Sequence, residues 1–406
     1  MRTVPERTLL WLLAAVQLVN VLDFMMVMPL GPDFARELGI PLSRLGLVGG
    51  SYVASAAVSG LAGALFLDRF DRRPALAVAM LGLFLGTAAG GLARDLPTMK
   101  AARILAGAFG GPATSLALSI VTDIVPPQRR GRALGTVMGA FSVAAVLGVP
   151  LGLELARWGG WKLPFFAVAT LGLAVGVGVY LLLPPLRGHL DPTRAAPARL
   201  PRLRPVVLLS LAATASTMAT SFALVPNLAA WLQFNAGWPR ERLGLLWMAG
   251  GAVTFFSMRV AGRLVDRFGS PRVAAGATAL FLCVLGLGFL PDRPLLPVVL
   301  LFVGFMVGNS SRNVSMSTLA TKVPAPDERA RFLSVQSGVQ HLASALGATL
   351  STQLLSEEPS GRLVGVPRVA AFSMTLALAL PVLLRMVETR VARGGPQVVL
   401  PAGRNR

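Results

Sequence analysis

Gln17, Asn20 and Asp23 recur at every third position inside an otherwise apolar run. On a helix that spacing gathers three polar side chains on one face, with Phe24 and Val27 adding apolar surface beside them. A carboxylate in such a run is costly to bury and marks ion or proton traffic by default. Asp23 lies 23 − 9 = 14 residues past Leu9, where the run begins. At a rise of about 1.5 Å per residue this is about 21 Å along a helix. A permanently paired structural charge is the plain alternative; a carboxyl that exchanges a proton with one side or the other is the expectation. Its cation is expected to be Arg103, set at similar depth in another apolar run. Arg312, in "GNSSRNVS", and the adjacent Gln340 and His341 are further polar groups in apolar stretches. His341 is a type that titrates near neutral pH, and it serves equally as a neutral hydrogen-bonding wall. With Thr217 and Thr220 these residues outline a binding surface that is mainly apolar and sparsely charged, suited to amphipathic cargo.

Other chemistries find little support. The single cysteine, Cys283, and two distant histidines, His189 and His341, offer no disulfide framework and no metal cluster. No phosphate-binding G-x-x-x-x-G-K-[ST] loop occurs and no nucleophile constellation stands out, so neither an enzyme nor a cofactor is expected. The net charge of +20 suggests nucleic acid at first sight. Its arginines, however, collect in short loops between apolar runs, as the positive-inside rule produces, and no nucleic-acid partner is expected.

These side chains must be held by membrane-spanning helices. Of 406 residues, 54% are hydrophobic and 14% charged, against about 25% charged in soluble proteins. A span needs about 20 mainly apolar residues. Twelve are read, at 9–31, 45–67, 75–93, 99–125, 133–156, 163–184, 206–231, 243–265, 273–291, 295–322, 331–355 and 367–386. The first is expected to be a retained span, since its apolar run is too long for a leader. The arginine-rich loops fall on one side, which puts both termini in the cytoplasm.

Two charged patches interrupt the apolar pattern. "GALFLDRFDRR" packs Asp68, Arg69, Asp71, Arg72 and Arg73 into six positions, and "GRLVDRFGSPR" repeats it from Gly262, with Asp266 and Arg267. The two aspartates are 266 − 68 = 198 positions apart. "SRLGLVGG" matches "ERLGLLWMAGG" at the same offset, and "PPQRRGRALG" meets "APDERARFLS" at 331 − 132 = 199. The chain therefore reads as two six-span halves in the same orientation, 1–184 and 206–406, joined by a basic linker at 185–205, with a cavity between them.

These motifs resemble the major facilitator superfamily over essentially the whole chain. Its signature between spans two and three is G-x-L-x-D-R-x-G-R-R. "GRLVDRFG" follows the front of it, whereas the first copy departs at Ala64, Phe66 and Asp71. The resemblance implies an all-α integral membrane fold of twelve helices in two six-helix bundles. It implies a conformational latch at Asp68, Arg69, Arg72, Gly262, Asp266 and Arg267, with Arg69 or Arg72 pairing with Asp123. "RILAG" is similar to the family's R-x-x-x-G motif in span four, which ties Arg103 to proton transfer. Span five resembles the exporters' G-x8-G-x3-G-P-x2-G-G: Gly139 and Gly148 keep the eight-residue gap, followed by Pro150 and Gly152. The resemblance points to the twelve-span drug and sugar efflux branch, a monomeric proton antiporter of the inner membrane acting on small molecules by alternating access. A proton-coupled importer and a non-transporting membrane sensor on the same fold are the alternatives.

Overall fold

The computed structural model describes residues 4–126, 129–186, 204–324 and 329–393, apart from the side chains at 64–66, 68, 131, 329–331 and 334. The linker expected at 185–205 thus lies almost wholly outside the described residues. Long apolar runs become helices because a backbone in hydrocarbon must satisfy its own hydrogen bonds.

Twelve long helical runs follow in order among the described residues. Spans one to four are Glu6–Val27, Leu45–Phe66, Arg72–Gly91 and Leu96–Ile124. Span five is segmented: Arg130–Met138, Ala140–Val143, a π-helical turn at Ala144–Gly148, then Val149–Gly159. Span six is Lys162–Leu182. Span seven runs from Pro205–Leu224 through Val225–Asn227 and Leu228–Ala230 to a second π-helical turn, Trp231–Asn235. Spans eight to eleven are Leu243–Phe268, Ser270–Gly288, Val298–Ala320 and Arg329–Leu354, and span twelve is Val366–Ala377 followed by Ala379–Arg393.

Ten of these runs are both long and apolar enough to cross a membrane. Spans ten and eleven, 23 and 26 residues long, qualify by length only. They are the runs that carry "GNSSRNVSMST" and "SVQSGVQHLAS", so the shortfall comes from the polar residues that made them of interest. The fold class expected from the sequence stands. Two features went unforeseen: a short helix, Gly31–Leu38, after span one, and a two-residue antiparallel hairpin pairing Ser356–Glu357 with Leu363–Val364.

Helix starts repeat at the spacing of the charged patches. Spans two and eight begin 243 − 45 = 198 residues apart, and spans three and nine 270 − 72 = 198. Matching 3-10 turns, Leu42–Arg44 and Arg240–Arg242, lead into spans two and eight.

The packing differs between the two ends of the bundle. At the end holding the start of span one, the apolar cores are separate: Leu13, Leu76, Ile120 and Val179 belong to one, Leu319, Leu380, Leu384 and Val387 to another. At the opposite, far end a single core joins both halves, with Leu30, Phe34 and Leu153 packed in continuity with Leu228, Trp231, Phe289 and Leu363. Spans two and eleven run together along much of their length. Gly46 and Gly50 lie against Ala348, Ser351 and Thr349 in the far part, and Gly338 lies against Leu61 nearer the termini.

Candidate functional site

Span one delivers Asp23 to spans three and four. The carboxylate is fully buried (0% exposed), as is Arg103 (1%). Arg103 Nη1 donates to both carboxylate oxygens at 3.1 Å, and Thr87 of span three donates to Asp23 Oδ1 at 2.7 Å. The guanidinium carbon lies 5.2 Å from the Phe165 ring centre and 6.0 Å from that of Tyr52. Arg103 Nε and Nη2 have no hydrogen-bond partner among the described residues. A buried pair whose spare donors face aromatic rings is not a fully satisfied structural bridge. Removing the charge on Asp23 leaves the cation exposed to whatever else can neutralise it.

Thr87 was absent from the expected set. Only the packing of span three on span one identifies it, because nothing in "LGLFLGTAAGG" sets its hydroxyl apart from others in the spans.

The polar face of span one is turned differently from expectation. Asn20 lies within its own half: its Nδ2 donates to Gly110 O and Thr114 Oγ1, both at 2.6 Å, and its Oδ1 accepts from Tyr52 at 2.6 Å. Gln17 is buried with Oε1 unpartnered, and Val27 belongs to the core at the far end. Phe24 is the residue of this group that reaches across, stacking on Tyr52 at 5.5 Å and on Phe222 of span seven at 5.9 Å.

In the second half, Thr217 and Thr220 are fully buried and donate to carbonyls of their own helix. Arg312 is also fully buried, and its Nη2 donates to Thr220 Oγ1 at 3.0 Å. These three line the interior of the half rather than a surface between halves. Gln340 and His341 are half-buried, with no side-chain hydrogen bond among the described residues. Their neighbour Gln336 does engage, donating to Thr214 Oγ1 at 3.2 Å.

The charged patch divides unevenly. Arg72 Nε meets Asp123 Oδ2 at 3.1 Å, tying span three to the end of span four inside one half. Arg69, Asp266 and Arg267 are exposed. The side chain of Asp68 lies outside the described ones. Asp71, which departs from the family pattern, caps span three by accepting from the Arg73 amide at 3.0 Å and also accepts from the Leu186 amide at 3.1 Å. Its φ of −57° needs no glycine. The matching Gly269 has φ +86°, a left-handed conformation that does. Gly262, by contrast, has open space where a Cβ would lie.

Gly148 and Gly152 of the span-five motif face span one. A Cβ on Gly148 would collide with Leu22 of span one, and one on Gly152 would approach Met26 of span one at 3.8 Å. The contact with span eight uses glycines of span eight instead: a Cβ on Gly251 would meet Ala145 O at 2.7 Å. Pro150 follows the π-helical turn, which accommodates the missing backbone donor. Gly139 sits at the break between two helical pieces.

An unexpected pair of links closes the far end. Arg240 donates through Nε to both carboxylate oxygens of Asp33 at 2.8 and 2.9 Å, joining the turn before span eight to the short helix after span one. Glu357 of the hairpin accepts from the backbone amides of Leu42 and Ser43, at the start of span two. Both links cross between halves.

The model of the Major Facilitator Superfamily matches residues 13–348. The chain belongs to this superfamily. It is 31% identical over 327 residues to a chloramphenicol resistance protein of Streptomyces lividans, covering 77% of this chain and 80% of that one. It is 26% identical over 365 residues to a purine ribonucleoside efflux pump of Shigella sonnei, covering 88% of each. Among solved structures, a D-xylose-proton symporter superposes with a TM-score of 0.75 at 16% identity, over 93% of this chain and 97% of that one. A bacterial homologue of the lysosomal transporter Spinster, inward-facing and occupied, gives 0.71 at 19% identity, over 95% and 97%. At such identities these two speak for the fold alone. The superfamily member described here is a multi-pass membrane transporter of small molecules and not an enzyme.

Proposed function

We propose that this transporter exports small amphipathic molecules in exchange for protons, with Asp23 as the proton carrier and Arg103 as its partner. The observation that carries the reading is the buried Asp23–Arg103 pair, with Thr87 on the carboxylate and two guanidinium nitrogens unpartnered. Protonation of Asp23 removes the counter-charge from Arg103 and loosens spans one, three and four from one another. Deprotonation restores the pair. Phe24, against Phe222 at the junction of the halves, puts cargo contact one residue from the titrating group.

Export is supported by the relatives, whose names include chloramphenicol and purine ribonucleoside efflux, and by the Gly139–Gly152 pattern in span five. The packing supports a reading in which each six-span half moves as a unit, with the far end, closed here, facing outward and both termini in the cytoplasm of a bacterial inner membrane. The patch carrying Asp68 and Arg69, with Arg72 on Asp123, would then steady the cytoplasmic end of the first half, with Asp266 and Arg267 as its counterpart in the second. A single chain suffices for this cycle.

The test is transport in inverted membrane vesicles with an imposed pH gradient, using a panel of amphipathic compounds. Accumulation driven by an acidic interior is expected in the parent, and none in Asp23→Asn at matched expression. Equal concentrative transport by that variant would remove Asp23 from the mechanism; a gradient requirement of opposite sign would make the protein an importer.

A further inference from the structure

Two guanidinium groups are buried at membrane depth, and the charges around them are not alike. Arg103 has Asp23. Arg312 of span ten is equally buried (0% exposed), yet its partners are neutral: the Thr220 hydroxyl at 3.0 Å and the Phe281 ring, whose centre lies 4.4 Å from the guanidinium carbon. Its Nε and Nη1 have no acceptor among the described residues. The counter-charge is not merely one turn away. The sequences of spans seven, nine, ten and eleven contain no Asp or Glu. Among the described residues, the carboxylates of the second half fall outside the long helices or near the ends of spans eight and twelve.

A carboxyl stranded in this position takes up a proton, whereas a guanidinium keeps its charge. A lasting unpaired cation in the hydrocarbon layer is strongly unfavourable, and one hydroxyl with one aromatic face offsets only part of that cost. The surroundings are organised to present the cation. The Thr220 hydroxyl is oriented toward Ser216 O at 2.9 Å, which leaves its oxygen free to accept from Arg312 and fix the guanidinium plane. On span nine, one turn before Phe281 and on the same face, Thr278 Oγ1 is buried and also without a partner among the described residues. Fixed positive charge, orphaned donors from two spans and no carboxylate among the described neighbours make the chemistry of an anion site.

We infer that Arg312 binds a singly charged anion where spans seven, nine and ten meet, through Nε and Nη1, with the Thr278 hydroxyl as the further donor. The anion is a halide from solution or the anionic group of an acidic cargo molecule; the chemistry of recognition is the same. This site is independent of the proton carrier, so its test reads binding and not transport.

The experiment follows the thermal unfolding midpoint of the purified full chain while sodium chloride, or sodium benzoate as a monocarboxylate probe, replaces sodium isethionate, a bulky anion without a carboxylate, at constant ionic strength. A saturable rise with chloride identifies a free halide, and a rise with benzoate alone identifies an acidic cargo group. Either rise is expected to vanish in Arg312→Gln and to shift to higher concentration in Thr278→Val. Should Arg312→Gln fail to fold, Arg312→Lys is expected to keep the response with affinity weakened at least about tenfold, because it retains charge without the planar fork. Crystals grown in bromide are expected to show anomalous density beside Arg312 in the halide case. A parent insensitive to both anions, or a response undiminished in Arg312→Gln, overturns the site.

Discussion

Asp23 and Arg103 differ in what each leaves behind when its partner is removed. Asp23→Asn strands a cation that cannot shed its proton, and breaking a buried pair in this way costs about 3–5 kcal/mol. Arg103→Gln leaves a carboxyl that can become neutral, so its unfolding midpoint is expected to lie above that of Asp23→Asn under identical conditions. The reverse order would mean that the pair is not the main determinant of burial here. Thr87→Val removes a hydrogen bond to a charged group and is expected to cost about 1.5–3 kcal/mol in the same measurement. Asp23 and Arg103 were legible because an ionisable residue stands out in an apolar run. Thr87 was not, since its value depends on how span three is rotated against span one. Asn20 shows the same limit from the other direction. Its helical face was correctly read from spacing, but the direction of that face, toward Tyr52 and Thr114 rather than the other half, is fixed only by packing.

At the level of elements, the family motif and the packing separate at two glycines of span eight. Gly262 stands at the motif's leading position, yet a Cβ there meets nothing within 4 Å. Gly262→Ala is therefore expected to be neutral or to stabilise by about 0.5–1 kcal/mol through helix propensity, as the Ala64 of the first patch already suggests. Gly251 lies outside the family signature, but its Cβ would press on the backbone of Ala145 and Val146. Gly251→Ala should force spans five and eight apart, costing about 1–3 kcal/mol, and lower the transport rate. Paired thermal unfolding and transport assays of the two variants check both expectations; equal effects would mean that close approach does not govern this junction. Span positions were readable because the hydrophobic pattern repeats with the helix. The π-helical turns at Ala144–Gly148 and Trp231–Asn235 were not, because a bulge reflects the balance of packing around a local defect. The charged patch shows sequence and structure trading solutions: Asp71 caps span three from a negative φ, where Gly269 meets the same corner with a positive one.

Across the whole molecule, the duplication was visible in the 198-residue offset because repeated charges punctuate both halves. The far-end links were not visible. Asp33 and Arg240 are 207 positions apart, in the short helix after span one and the 3-10 turn before span eight, and Glu357 sits on a hairpin with no counterpart among the described residues of the first half. Yet among the described residues these polar contacts join the halves where their cores merge. Both partners of the Asp33–Arg240 pair are about one-fifth to one-quarter exposed, so solvent screening limits its contribution to about 1 kcal/mol. A difference of that size shifts a two-state population about fivefold. Asp33→Asn leaves the fold, Asp23 and Arg103 untouched, so it is expected to favour opening of the far end without altering the proton requirement. Cys283 is the single cysteine, and replacing it by Ser gives a background for spin labels placed at positions 37 and 241, on the two linked elements. The distance distribution is expected to gain a longer component in Asp33→Asn, with Glu357→Gln adding to it because that carboxylate holds a separate pair of amides. An unchanged distribution in the double variant would mean that the apolar core from Leu30 to Leu363 closes the far end by itself.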